Sequence, residues 1–402
     1  VRGAGRFTLA GADPTIGTVN ESPAPDDDAS AGDRTVIRAQ PRAPRLERQG
    51  WVHQLVVVEG AEPGRRFPLG AEALRVGRKP PSDIVVAEAE VSGRHCEVLV
   101  EAGHDSLVVT DLQSTNGTFV DGVRVQGRAR LREGGLLQVG RLVLRHDHKP
   151  PQEVQASEEL DRDLDKAGRY VQSLLPLPLH SGPVLTDWVL VPSARLGGDA
   201  LGYQALDDHR FATWLIDVAG HGTGAAMHTV SVLNVLRQRA LPGVDFARPE
   251  QVLARLNAMF QMDQHGGLYF TLWYGVHDRR RRCLDFACAG HHAGYLVDPQ
   301  RQACKALHTR NLMIGAMPGA RFAADQVEVE PGSRLYLFSD GAFDIATRDG
   351  RAFGLQDLLG LLLQPDTEGV GEAERLHRAV RGIARPGPFD DDFTVLVTTY
   401  EP

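Results

Sequence analysis

Four times in this chain an aspartate stands at the edge of an apolar run of strand length. Asp217 closes Phe211-Ala-Thr-Trp-Leu-Ile, Asp340 follows Leu335-Tyr-Leu-Phe-Ser, Asp199 ends Gly197-Gly-Asp, and Asp391 opens Asp391-Asp-Phe-Thr ahead of Val395-Leu-Val. Short apolar runs of this composition are buried strands, so each carboxylate is predicted where a strand leaves the core. Four carboxylates drawn to one sheet edge repel one another unless cations neutralise them, and an all-oxygen donor set suits hard ions such as Mg2+ or Mn2+. The fold must therefore bring distant segments of the chain to one shared rim.

The order Gly-Gly-Asp, Asp217-Val-Ala-Gly-His-Gly, Ala289-Gly-His, Ser339-Asp-Gly and Asp391-Asp-Phe-Thr resembles the metal-dependent protein phosphatases of the protein phosphatase 2C superfamily. Within it the pattern is similar to the bacterial branch typified by stage II sporulation protein E, over roughly residues 155–400. The resemblance implies an α-β-β-α fold, a two-sheet sandwich flanked by helix pairs. It also implies two Mn2+ or Mg2+ ions, bridged by Asp217, with Asp199 and Asp340 binding one or both, Asp391 binding one, and the Val218 carbonyl as a further donor. Asp217 and Asp340 are then the residues on which turnover depends, with a metal-activated water attacking phosphorus in line. Asp392 matches a non-ligand or outer-shell position and Asp390 matches none. His221 lies four residues after Asp217, where eukaryotic relatives have a histidine two residues on, so a structural role is expected for it. His291 and His292 are expected to bind no metal. Arg195 is a candidate for substrate phosphate.

A different pattern occupies about 100 residues from Trp51. Leu55-Val-Val-Val, Ile84-Val-Val, Cys96-Glu-Val-Leu-Val, Leu107-Val-Val, Thr118-Phe-Val, Leu136-Leu-Gln-Val and Leu142-Val-Leu are short strands separated by Gly, Asp and Pro turns, which predicts a β-sandwich. Within it, Val76-Gly-Arg, Val91-Ser-Gly-Arg-His and Asp111-Leu-Gln-Ser-Thr-Asn-Gly-Thr-Phe-Val resemble the forkhead-associated (FHA) domain. A phosphate dianion needs charged forks together with hydroxyl or amide donors, and Arg78, Ser92, Arg94 and Asn116 supply both. By the resemblance, Arg78 and Ser92 touch the phosphate of a phosphothreonine ligand, Asn116 holds the peptide backbone, and His95 braces the loops.

The expected organisation is a disordered tail (1–48), an FHA sandwich (49–148), a helical linker (149–176) with a boundary at Pro150-Pro151, and the phosphatase domain (177–402). The tail is rich in Pro, Ala, Asp and Gly and cannot bury enough surface to order itself. In the linker, Leu160, Leu164, Ala167, Val171 and Leu174 share one helical face; a helix packed on its own domain and a switch or dimer helix are both open. Thr35, in Asp33-Arg-Thr35-Val-Ile-Arg38, is a possible kinase target whose phosphate an FHA domain of a second copy could read, giving a homodimer.

The formal charge of −8 and the lack of a long basic block argue against nucleic acid, and so against a metal-dependent nuclease. The one basic run, Arg279–Arg282, falls between two strands and reads as a solvated hairpin turn. Cys96, Cys283, Cys288 and Cys304 form no Cys-x-x-Cys pair and are expected to be reduced. No apolar run nears the roughly 20 residues that span a bilayer, and no leader pattern opens the chain, so a cytoplasmic location is expected. The chain thus reads as a Ser/Thr protein phosphatase acting on phosphorylated proteins, with a Ser/Thr kinase as its antagonist; the alternative is a catalytically silent FHA adaptor, and retention of all four carboxylates speaks against it.

Overall fold

The computed structural model describes residues 50–402 apart from 61–63, 87, 89, 102–104, 221, 348, 349, 386, 387 and 402. The tail, with Thr35, and His221 lie outside the described residues. Gln49–Pro402 holds together as one unit.

The first module is the expected sandwich. One sheet runs in the order Arg66–Leu69, Val52–Glu59, Leu142–Lys149, Leu136–Val139, Thr118–Val120, Val123–Arg124; the other runs Ile84–Val85, Leu74–Gly77, Cys96–Val100, Ser106–Asp111, Arg128–Arg132. Alternation decides what is buried. Cys96 and Val98 point into the core with Leu55, Val76, Leu107, Val109, Leu137 and Leu144, while Leu99 on the same strand faces out. Arg66–Leu69 and Arg128–Arg132 escape a reading by apolar runs because their outward positions are Arg66 and Pro68 in the first and three arginines in the second, where only Leu131 is fully buried.

Helix α1 (Pro151–Ser173) starts at the proline pair itself, nine residues before Leu160, the first residue of the expected apolar face. The prolines taken as a boundary are its start: Pro151 sits in the first turn, where its missing N–H costs nothing and its fixed φ suits the helix. No residue of α1 is fully buried; Leu164, Val171 and Leu174 are half-covered and Leu160 is exposed. Ion pairs hold it instead. The Asp161 carboxylate accepts from Arg66 of the sandwich and lies 3.4 Å from the Arg195 guanidinium of the second module. Arg66 also donates to Ser157 Oγ at 2.8 Å, and Arg195 pairs with Asp165. Gly168 lets the Arg195 backbone in: a Cβ there would lie 2.9 Å from the Arg195 carbonyl oxygen.

The second module is built from two five-stranded antiparallel sheets. One is ordered Val184–Val191, Phe393–Tyr400, Arg334–Phe338, Gly294–Val297, Cys304–Leu307; the other is ordered Asp199–Ala205, Arg210–Val218, Phe270–Asp278, Cys283–Ala289, Asp325–Glu328. Helices α2 (Thr223–Arg237) and α3 (Pro249–Met259) cover the second sheet, and α4 (Leu355–Leu362) and α5 (Glu372–Ile383) the first. Both faces of the first sheet are buried, which explains its unbroken apolar runs: Leu335, Leu337 and Leu396 join Trp214, Trp273 and Tyr274 between the sheets, while Tyr336, Phe338, Val395 and Val397 pack with Leu358, Leu376 and Val380. Arg279–Arg282 is an exposed hairpin turn, as expected. The four cysteines are free thiols. Among the described residues no helix is long and apolar enough to cross a membrane.

Because α1 is held by partly exposed ion pairs, Asp161→Ala should lower overall stability by no more than about 1 kcal/mol. Cleavage of residues 149–176 by a protease should nonetheless be faster, with both sandwiches intact by circular dichroism; an unchanged cleavage rate would mean that Asp161 does not hold the helix.

Candidate functional site

Strand register builds the carboxylate rim. Asp199 and Asp217 are direct partners across adjacent strands, which sets both at one end of the second sheet. In the first sheet Phe338 pairs with Val395, so Asp340, two residues past one strand, and Asp391, two residues before the next, leave the same end. Burial grades across the rim: Asp199 is 5% exposed, Asp217 is half-buried, and Asp340 and Asp391 are exposed. Thr394 Oγ donates to Asp199 Oδ2 at 2.5 Å. Gly198 exists for close approach, since a Cβ there would stand 2.5 Å from the Val218 carbonyl oxygen.

The electrostatics are those of crowded like charges. Burial, and then the charges of Asp340, Asp391 and Asp392, push the Asp217 carboxyl up to about 7. Burial, then Asp217 and Asp392, push Asp199 well above the usual carboxylate range. Among the described residues no three acidic, His or Cys side chains close on one point as a ready-made cage for a single ion. The arrangement is an open rim, all oxygen in its donors and short of positive charge, and that chemistry fits hard divalent cations shared between carboxylates.

The remaining candidates divide clearly. Burial pushes His291 down to about 3; its Nδ1 donates to the His292 carbonyl oxygen at 3.0 Å, as a neutral structural imidazole does. His292 donates likewise to the Ala293 carbonyl oxygen at 2.9 Å and stacks on Phe338. Asp390 pairs with Arg385. Arg195 is turned to Asp161 and Asp165 of α1 rather than held ready for a substrate, because those two carboxylates meet it as soon as the linker folds as a helix. The resemblance puts Asp392 at a non-ligand or outer-shell position without naming its partners, and its carboxylate accepts from Ser193 N, Ser193 Oγ and Gly198 N at 2.7, 2.9 and 2.7 Å. Its position beside Asp391 was the only signal in the sequence.

At the first module's loops, one tautomer of His95 serves two segments. Its Nδ1 accepts from Ser92 N and its Nε2 donates to the Gly117 carbonyl oxygen, both at 3.1 Å, with the ring fully buried. His95 thus braces the loops. Thr115 N donates to Ser92 Oγ at 3.1 Å, and Arg78 N to the Ser92 carbonyl oxygen at 2.9 Å. Asn116 Nδ2 donates to the Glu90 carbonyl oxygen at 2.7 Å, so this amide joins two loops of the face. Burial works to raise the Asp111 carboxyl, but hydrogen bonds from Ser114 and Thr118 outweigh it and hold it low. Arg78 and Arg94 are exposed, and among the described residues neither guanidinium has a carboxylate partner. The structure brings Arg78, Ser92, Arg94 and Asn116 to one loop face, separate from the carboxylate rim.

An all-β FHA sandwich followed by an α/β phosphatase-type sandwich is the class that these folds and sites define. Comparison with known proteins agrees: residues 207–401 match the model of stage II sporulation protein E (SpoIIE), and residues 74–140 that of the FHA domain. The chain carries an FHA domain joined to a SpoIIE-type phosphatase 2C domain. It is 28% identical over 184 residues to the phosphoserine phosphatase RsbP of Bacillus subtilis, covering 46% of this chain and 45% of that protein. It is 33% identical over 101 residues to the FHA domain-containing protein FhaB of Mycolicibacterium smegmatis, covering 25% and 64%. Among solved structures, the SiaA-PP2C domain of Pseudomonas aeruginosa superposes with a TM-score of 0.54 at 22% identity, over 61% of this chain and 99% of that one, which establishes the shared fold. The chain spans about half the length of the phosphatase relatives it matches.

The raised Asp217 predicts a pH signature. Its carboxyl titrates near 7 when folded against an ordinary 3.8, so between those values the folded state holds the extra proton and stability falls as pH rises. Buried histidines such as His291, lowered when folded, tilt the other way, so the comparison must be between variants. Across pH 5–8, the change in stability on going from wild type to Asp217→Asn in metal-free protein should grow more favourable toward pH 8, and Mn2+ should shrink it. Parallel denaturation midpoints at every pH would contradict the crowding of charge.

Proposed function

We propose that this chain is a phosphoserine/phosphothreonine protein phosphatase whose FHA domain recognises phosphothreonine. The observation that carries this reading is the rim itself: carboxylates from four separated segments gathered at one end of two sheets, with Asp217 pushed up by burial and then by its acidic neighbours. In this reading the carboxylates of Asp199, Asp217, Asp340 and Asp391, with the Val218 carbonyl oxygen as a neutral donor, would hold Mn2+ or Mg2+. When bound, the ions supply an acidified water and neutralise the charge that builds on the phosphoryl oxygens. The chain's own part is to hold these donors on rigid strand ends. Thr394 fixes one oxygen of Asp199 and the antiparallel register fixes its distance from Asp217, so little reorganisation is left to the reaction.

Arg78, Ser92, Arg94 and Asn116 form the phosphothreonine face in the same reading. Two guanidiniums without carboxylate partners among the described residues, beside a hydroxyl held by the Thr115 amide, suit a dianion with three acceptor oxygens. The substrates are phosphorylated proteins and the opposing enzyme is a Ser/Thr kinase. An adaptor without activity would have no need to keep the rim.

Asp217→Asn and Asp340→Asn should each abolish Mn2+-dependent hydrolysis of an aryl phosphate while circular dichroism stays that of the wild type, since loss of a charge from a crowded cluster relieves repulsion. Wild-type turnover in either variant at saturating Mn2+ would refute the metal assignment. Arg78→Ala and Ser92→Ala should each weaken binding of a phosphothreonine peptide by about ten- to a hundredfold, the worth of a charge-assisted hydrogen bond of about 1.5–3 kcal/mol. Calorimetry with one tight-binding peptide reads it directly, and equal affinity in all three proteins would remove the FHA role.

A further inference from the structure

Asp392 is a buried carboxylate, 4% exposed, in a centre already crowded with negative charge. It adds to the repulsion, being among the groups that act on both Asp199 and Asp217. A fifth acid in such a place costs stability unless something specific holds it. What holds it is a ring of donors from one loop. Oδ1 accepts from Ser193 N at 2.7 Å and Ser193 Oγ at 2.9 Å; Oδ2 accepts from Gly198 N at 2.7 Å and, more weakly, from Asp199 N at 3.4 Å. A carboxylate oxygen accepts about two hydrogen bonds, so both oxygens are filled and none of that capacity is left for a cation.

The main chain of the same residue reaches the other side of the rim. Ser339 Oγ donates to the Asp392 carbonyl oxygen at 2.8 Å and receives Thr394 N at 3.1 Å. Two glycines record how tight this joint is. A Cβ on Gly197 would lie 2.2 Å from Asp392 Oδ2, and one on Gly341 would lie 2.3 Å from the Asp392 carbonyl oxygen. Asp392 therefore touches the loop that delivers Asp199 through its side chain and the turn that delivers Asp340 through its backbone, and it follows Asp391 in the chain.

We propose that Asp392 is a positioning residue: a carboxylate tether, not a metal ligand, that fixes the Ser193–Asp199 loop against the Asp340 and Asp391 segments and so sets the spacing of the metal-binding carboxylates. The proposal rests on the metal-phosphatase reading above. An amide cannot replace the acid, because Asn would turn an NH2 group toward either the Ser193 or the Gly198 donors. The loop would lose half of its anchor, and Asp199 would move with it.

The test pairs Asp392→Asn with Gly197→Ala. The first removes a charge; the second keeps every charge and crowds the tether through the new methyl group, which separates position from electrostatics. Both variants should bind Mn2+ about tenfold or more weakly in calorimetry, the usual loss when a group that orients a metal ligand is removed. Both should raise the Mn2+ concentration for half-maximal aryl phosphate hydrolysis more than they lower the rate at saturation. In metal-free protein the amides of Ser193 and Gly198 should exchange hydrogen faster than in the wild type, a readout independent of activity. Wild-type affinity and exchange in folded Asp392→Asn overturn the proposal, and so does a defect confined to Asp392→Asn with Gly197→Ala behaving as wild type, since charge alone then explains it. If Asp392→Asn does not fold, Gly197→Ala decides by the same two readouts. Wild-type protein that binds no Mn2+ removes the metal reading itself, and the tether then has nothing to position.

Discussion

Repulsion between carboxylates is the constraint on which the second module depends. Asp199, Asp217, Asp340 and Asp391 come from segments that would separate if the chain were free to let them, and burial together with its acidic neighbours pushes the Asp217 carboxyl up to about 7. A frame that holds them must be stiffer than the force it opposes. Two sheets packed through Trp214, Trp273, Tyr274, Leu335, Leu337 and Leu396, each covered by helices, provide that stiffness because close-packed interiors do not yield continuously. The acidic rim is thus sustained by burial well behind it.

The two modules solve opposite electrostatic problems by the same means. In the FHA sandwich, loops expose cationic side chains that have no carboxylate partner among the described residues, and His95 and Asp111 immobilise the loops behind them. In the phosphatase domain, loops leave anionic side chains on a rim, and Asp392 and Ser339 stand behind those. In each case the residues facing outward are ordinary for their chemistry. The unusual investment is in buried polar groups, every one of which must find partners.

The rim was legible in the sequence because strand ends are local signals: an apolar run with an aspartate at its edge needs no knowledge of the partner strand. The FHA loops were legible as motifs for the same reason. Strands Arg66–Leu69 and Arg128–Arg132 were not, since outward arginines and Pro68 mask a strand whose inner face holds few apolar groups. The start of α1 was misjudged because a proline pair serves as readily to open a helix as to break one. The partners of Arg195 are two carboxylates that only the folded α1 brings to it, and the bonds of Asp392 span almost the whole second module. Neither fact is a property of neighbouring residues.

Asp161 sits between two arginines of different modules, Arg66 on the sandwich and Arg195 on the loop that ends at Asp199. The FHA domain here is not a freely interchangeable attachment. A graft of another domain onto this phosphatase-type module would leave Asp161 to Arg195 alone unless it presented a cation at the place of Arg66, and the junction would be a different one. What the incoming surface would change is the set of the joint rather than the stability of either module, because the shared carboxylate is worth little energy and fixes a position.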